Sequence, residues 1–173
     1  KNKKPMVFTC VITKAQWIIV IVLVFFNNFL GATWYSETMY AMEWIDAAGI
    51  RKTYERYVAQ EKKKKDDSVV VPEIDEPEFD PTDKLPFLYA FIRELLLGIG
   101  MTIIFNNLGV KTAKIGCMYA LFLWAFFVLP DGLTNNAFQI KPIALTKING
   151  LNALIRYAIV GAVIGAGRGY LFE

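Results

Sequence analysis

Three charged side chains lie at least five residues from the ends of long apolar runs of this sequence, where a charge is costly and therefore informative. Arg93 and Glu94 are adjacent in one run, and Arg156 lies in another. Glu94 shares a helix face with Gly98 and Thr102, whereas adjacent residues point to different faces. We therefore predict that Arg93 extends to the lipid headgroups and that Glu94 pairs with Arg156. A structural ion pair is the preferred interpretation, and a role in transport or proton transfer is the alternative.

A short motif with two adjacent asparagines occurs twice in the sequence. Residues 26–31 and 105–109 both begin Phe-Asn-Asn and end in Leu-Gly. Asn27 and Asn106 are candidates for hydrogen bonding to each other between helices, an interaction worth about 0.5–2 kcal/mol. Paired repeats occur in transporters, but so short a match is too little to establish one.

The residue types that most enzyme sites need are missing or isolated. The sequence has no histidine and two cysteines, Cys10 and Cys117, in separate segments. It therefore lacks the usual haem and zinc ligand and the usual general base near neutral pH. Nothing supports a site built only from the carboxylates of Glu94 and Asp131. We predict a protein that is not an enzyme, with no catalytic residue, cofactor or metal. A net charge of +3 is too small to indicate nucleic-acid binding.

Four apolar runs would position these side chains. Each has roughly 18 to 23 residues, the length at which an α-helix crosses a hydrocarbon core of about 30 Å. Backbone groups in lipid must be paired within the protein, so the runs are expected to be helices. They predict an all-α, polytopic membrane protein with a single membrane domain over residues 1–173. The predicted transmembrane helices are 15–34, 86–108, 112–129 and 151–170. The first is expected to be a retained helix, because it is longer than a signal-peptide core.

The segment after the first span predicts an amphipathic helix that lies on the membrane interface. Residues 36–64 carry apolar side chains at helical spacing, Ser36 is a candidate cap, and Gly49 is a candidate bend. Four aromatic side chains that favour headgroup depth lie at its start: Trp34, Tyr35, Tyr40 and Trp44.

Two further connections are predicted to be irregular. Residues 65–85 form an acidic, proline-rich segment expected to be an extended extramembrane loop. The Pro-Asp-Gly sequence at 130–132 predicts a turn that ends the third span. Residues 133–150 are then expected to form a re-entrant or interfacial connection, because the segment is short and contains two lysines and a proline.

A row of small residues marks one face of the fourth span. Gly161, Gly165 and Gly169 recur every four residues and allow another helix to approach closely. Packing within this chain is the preferred interpretation. Packing between subunits, in a homo-oligomer or a larger assembly, is the alternative.

Several short motifs give the chain a family resemblance. The first span ends in Leu-Gly-Ala-Thr-Trp-Tyr-Ser at residues 30–36, and Leu-Trp-Ala-Phe-Phe follows at 123–127. Asn-Asn-Ala-Phe at 135–138 precedes Pro142, and Asn-Gly follows at 149–150. The pattern resembles the DUF1761 family of small four-helix bacterial membrane proteins.

Two features depart from the family pattern. Phe126 stands where the family tends to have glycine, and residues 66–83 look like an insertion. The resemblance implies a four-helix fold and a bacterial origin, and it implies no activity, since none is established for the family.

Two functions are consistent with these features. The first is a non-catalytic accessory or structural subunit of a larger bacterial membrane protein complex, with a loop that lies on a partner subunit. The alternative is a small oligomeric transporter or channel that uses Glu94, Arg93 and Arg156 inside the membrane. The expected location is the inner (plasma) membrane, in contact with the lipid bilayer. The basic N-terminal segment favours cytoplasmic N- and C-termini.

Overall fold

A computed structural model describes residues 10–66, 68–72 and 84–171, with the side chains of 169–171 excepted. Residue 67 and residues 73–83, on which most of the predicted acidic loop falls, lie outside the described residues. The described part of the chain folds into six helices: α1 (Lys14–Trp34), α2 (Ala41–Ala48), α3 (Arg51–Lys63), α4 (Leu85–Leu108), α5 (Ala113–Phe138) and α6 (Ile143–Leu171).

The helices α1, α4, α5 and α6 are long and apolar enough to cross a membrane. The predictions of an all-α fold and of four helices long enough to span a membrane are therefore confirmed for the described residues, and this is the pattern typical of a multi-pass membrane protein. The first helix begins where the sequence can satisfy its free backbone donors. The Thr13 hydroxyl accepts a hydrogen bond from the backbone N–H of Gln16 at 3.3 Å, and the side-chain oxygen of Gln16 accepts one from the backbone N–H of Thr13 at 3.0 Å.

The third span is longer than predicted, and the turn expected at residues 130–132 is wrong. A single π-helical turn, Trp124–Val128, joins two α-helical parts, and the helix continues to Phe138. The Leu129 amide donates to the Trp124 carbonyl five residues back. This wider turn comes just before Pro130, whose ring would collide with the carbonyl of the fourth preceding residue in a regular α-helix. The π turn explains how the helix passes a proline.

The predicted re-entrant connection over residues 133–150 is also wrong. Its first part completes α5, and its last part belongs to α6, which begins at Ile143 rather than at residue 151. The link between the helices is residues 139–142, where Ile140 has a φ of 54°. Asn136 donates to the Thr146 hydroxyl at 2.7 Å and joins the two helices beside this link.

The predicted helix over residues 36–64 is divided in two. The bend at Gly49 is present, because this residue has a φ of 76° and ends α2 in the left-handed conformation. Ser36 does not cap a helix as predicted. Its hydroxyl donates to the Thr33 carbonyl at 2.6 Å, within a turn that follows α1.

The bundle is organised around α6. This helix packs against α1, α4 and α5, and α1 also packs against α4. The buried core contains seven apolar residues contributed mainly by the four spans: Leu23, Met101, Phe105, Val110, Ala120, Val160 and Ile164. Many large apolar side chains on the outside of the spans are exposed, as a lipid environment allows.

Candidate functional site

A buried polar cluster lies where α1, α4 and α6 meet. The carboxylate of Glu94 is fully buried, and its Oε1 atom accepts from Arg156, whose side chain is 8% exposed. Its Oε2 atom accepts from the Asn27 amide at 2.9 Å. One carboxylate therefore joins three transmembrane helices through charge-assisted hydrogen bonds.

Helix direction explains why these residues meet. Asn27 lies seven residues before the end of α1 and Glu94 nine residues after the start of α4. At a rise of about 1.5 Å per residue, they lie about 10 and 13 Å from these helix ends. Because α1 and α4 are consecutive spans that run antiparallel, similar depths from these ends bring the two side chains together. Arg156 faces them from α6, and its NH1 atom lies 3.6 Å from the point where a Cβ on Gly31 would stand.

Arg93 takes part in the same cluster, which corrects the sequence prediction. Its Nε atom donates to Glu94 Oε1 at 3.0 Å, and its NH2 atom lies 2.9 Å from that oxygen. Adjacent residues do point to different helix faces, but the long arginine side chain folds around the helix to reach its neighbour. With 60% of its side chain exposed, Arg93 is the solvent- or lipid-facing member of the cluster.

Three buried polar atoms near this junction have no protein partner among the described residues. They are Asn27 Oδ1, Arg156 Nε and Asn152 Nδ2. Asn152 and Arg156 are four residues apart and share a face of α6. Unpaired buried polar atoms cost about 1–3 kcal/mol each. The junction therefore offers one acceptor and two donors beyond those that the ion pair uses.

The predicted contact between Asn27 and Asn106 is wrong. Because α1 and α4 are antiparallel, the two asparagines lie toward opposite ends of the bundle. Asn106 pairs instead with Gln16, which donates to Asn106 Oδ1 at 2.7 Å and accepts from Asn106 Nδ2 at 3.2 Å. The role of Gln16 was not predicted from the sequence, although a side-chain amide inside an apolar run is itself an indication of pairing between helices.

The small-residue face of α6 packs within this chain against α5. A Cβ on Gly161 would overlap the backbone of Gly116, and one on Gly165 would lie 2.5 Å from the Thr112 carbonyl oxygen. The side-chain position of Gly169 lies outside the described residues.

The predicted interfacial aromatic side chains pack together at the end of α1. The rings of Trp34 and Tyr40 are 4.7 Å apart, and those of Tyr35 and Trp44 are 5.5 Å apart. The Tyr35 hydroxyl donates to Asn149 Oδ1 at 2.9 Å. These contacts connect α1 to α2 and α6. Trp34 is buried among them and does not face the surface.

The described residues contain no group of three or more histidine, cysteine, aspartate or glutamate side chains that could hold a metal ion. Cys10 and Cys117 are both free.

A comparison with protein families matches residues 18–165 to a family described as a protein of unknown function (DUF1761). The match extends from α1 into α6 and covers most of the chain. No curated protein and no solved structure matches the chain.

Proposed function

The chain belongs to the DUF1761 family, and we propose that it is a non-catalytic accessory or structural subunit of a larger membrane protein complex. The observation that carries this proposal is the helix α3. None of its 13 residues is buried. Isolated helices of this length are marginal in water, even when they are rich in alanine. A surface outside this chain would add to the limited stabilisation that α3 obtains from its contacts with α2 and with the segment after α1.

The arm formed by α2 and α3 has a suitable contact surface for a partner. An open cleft of about 310 Å³ lies between the two helices and the end of α1. Its walls combine apolar and aromatic side chains with few polar ones, and they include Trp44, Ile45, Ile50, Tyr54 and Tyr57. Aromatic side chains of this kind are enriched in protein interfaces. We propose that a segment of a partner subunit packs into this cleft.

The buried polar cluster supports the same proposal. Both oxygens of Glu94 are engaged, Oε1 by two arginines and Oε2 by Asn27. A carboxylate held in this way joins helices and is a poor carrier of ions, because its release would leave Arg156 unpaired in the membrane.

We also propose that the end of the bundle that holds the start of α1 faces the cytoplasm. Among the described residues, Lys14, Lys111, Lys114 and Arg168 lie at this end, close to the ends of spans, where the positive-inside rule counts charges. Lys84, Lys141 and Lys147 lie at the other end, so the proposal also depends on Lys1, Lys3 and Lys4, which precede α1 in the sequence. The first and last spans would then both have their outer ends in the cytoplasm.

The second candidate is a small oligomeric transporter or channel. It is favoured by the unpartnered atoms Asn27 Oδ1 and Arg156 Nε, which a permeating polar group could contact beside an intramembrane ion pair.

Co-purification of cleft variants tests the subunit proposal. The tagged protein should retain foreign subunits in fixed proportion when it is extracted with a mild detergent. Ile50→Lys introduces a charge into the cleft and should lower their recovery tenfold or more, whereas the matched control Ile50→Val should retain them. Equal recovery with both variants would contradict the cleft as the contact surface.

Glu94→Gln separates the two candidates. A subunit should keep its partners with this substitution, although its stability falls. A transporter should lose flux in reconstituted vesicles. Loss of flux by Glu94→Gln, from a wild-type protein that transports without any foreign subunit, would replace the subunit proposal with the transporter.

A further inference from the structure

An apolar groove opens between α4 and α5 on the outside of the bundle. It has a volume of about 550 Å³ and is open along one side. Most of its side chains are strongly exposed; Met118, for example, is 62% exposed. The lining residues are Ile104, Leu108, Ile115, Met118, Tyr119, Phe122 and Leu123. In a membrane such a surface is covered by hydrocarbon or by another apolar molecule.

Together with a second hollow beside it, the groove has about the length of one membrane leaflet. It shares Ile104 and Leu123 with this hollow of about 230 Å³, which reaches Leu96. From Leu108 to Leu96 is twelve residues of α4, or about 18 Å at the usual helical rise. Half of a typical hydrocarbon core is about 15 Å. One acyl chain that starts at the α4–α5 turn would therefore lie along the groove to the middle of the membrane.

Two lysines lie at one end of the groove. Lys111 and Lys114 are exposed at the α4–α5 turn, beside the lining residues Leu108 and Ile115. Basic pockets between transmembrane helices at a membrane surface favour anionic lipid headgroups.

We propose that the groove binds an anionic phospholipid. One acyl chain lies between α4 and α5 along the groove, and the phosphate of the headgroup lies at Lys111 and Lys114. This site is separate from the buried polar cluster and from the α2–α3 cleft. Binding at this site does not require a partner subunit.

Lipid binding to the purified protein tests the proposal. Native mass spectrometry would compare phosphatidylglycerol with phosphatidylcholine of the same acyl chains, so that only the headgroup differs. The protein should retain phosphatidylglycerol about 30-fold better, the preference expected from about 1 kcal/mol for each of two lysines. The double variant Lys111→Gln/Lys114→Gln should bind the two lipids equally.

Two further variants separate the headgroup from the groove. Lys84→Gln/Lys147→Gln removes the same charge at the other end of the bundle and should keep the preference for phosphatidylglycerol. Met118→Trp narrows the groove at an exposed position and should lower the binding of both lipids. Circular dichroism should show unchanged helix content for every variant.

Three results would overturn the proposal. The first is equal binding of the two lipids by the wild-type protein. The second is an equal loss of preference in both lysine double variants, which would indicate non-specific attraction. The third is a change in the number of copies of the chain per particle with Met118→Trp while lipid binding stays constant, which would assign the groove to a second copy of this chain.

Discussion

Removal of the charge on Glu94 should weaken the bundle more than any other single change in the polar cluster. In Glu94→Gln the amide keeps nearly the same shape, but the positive charge of Arg156 is left buried without an opposite charge. Breaking a buried ion pair by removing one partner costs about 3–5 kcal/mol. This corresponds to a decrease of roughly two to four powers of ten in the ratio of folded to unfolded protein.

The matched control uses the other arginine of the same cluster. Arg93 contacts the same oxygen of Glu94, but most of its side chain is exposed. Exposed ion pairs contribute about 0–1 kcal/mol, so Arg93→Gln should change the stability little. The comparison keeps the carboxylate constant and varies only the burial of the positive partner.

Reversible unfolding in mixed detergent micelles, followed by circular dichroism, measures these free energies. The double variant Glu94→Gln/Arg156→Gln should recover much of the loss, because neither buried charge remains and two amides can bond to each other. Refutation is simple: if Glu94→Gln costs no more than Arg93→Gln, the buried pair does not hold the helices together.

Four other perturbations follow from the packing and the surface contacts. Gly116→Ala should destabilise the protein by about 1–3 kcal/mol, because the new methyl group would collide with the backbone of α6. Gly132→Ala, at a position in α5 where the new methyl group contacts nothing, should stabilise the helix by up to about 1 kcal/mol. Unfolding in micelles measures both free energies. Tyr35→Phe removes the bond to α6 and should cost about 0.5–1.5 kcal/mol in the same assay. Hydrogen bonding from Arg51 lowers the pKa of Asp46 below its ordinary value. The contact between α2 and α3 should therefore be constant from neutral pH down to about pH 4, and should be lost as the pH falls further and the carboxylate takes up a proton; carboxyl NMR titration of Asp46, with Asp46→Asn as the control, checks this.

The sequence predicts well the features that depend on the cost of placing polar groups in lipid. The number of spans follows from the apolar runs, and the contact between Glu94 and Arg156 follows from the need to compensate a charge in the membrane. The same reasoning did not find the Gln16–Asn106 pair, because the antiparallel arrangement of α1 and α4 decides which amides face each other.

The sequence was misleading where a local signal was overridden by its surroundings. Pro-Asp-Gly at residues 130–132 is a strong turn signal, but the π turn before it removes the collision that proline causes in a helix. Arg93 was expected to extend away from Glu94, because a face-by-face analysis of a helix neglects the length of the arginine side chain. In both cases the missing information is the local backbone or side-chain conformation.

The mass and composition of the native particle test the proposed function most directly. The wild-type protein, extracted from its own membrane with a mild detergent, would be measured by light scattering and by mass spectrometry of its components. A discrete particle that contains foreign subunits in fixed proportion is the expected result. A particle that contains only this chain, as a monomer or a homo-oligomer, would contradict the account and would direct attention to transport through Glu94 and Arg156.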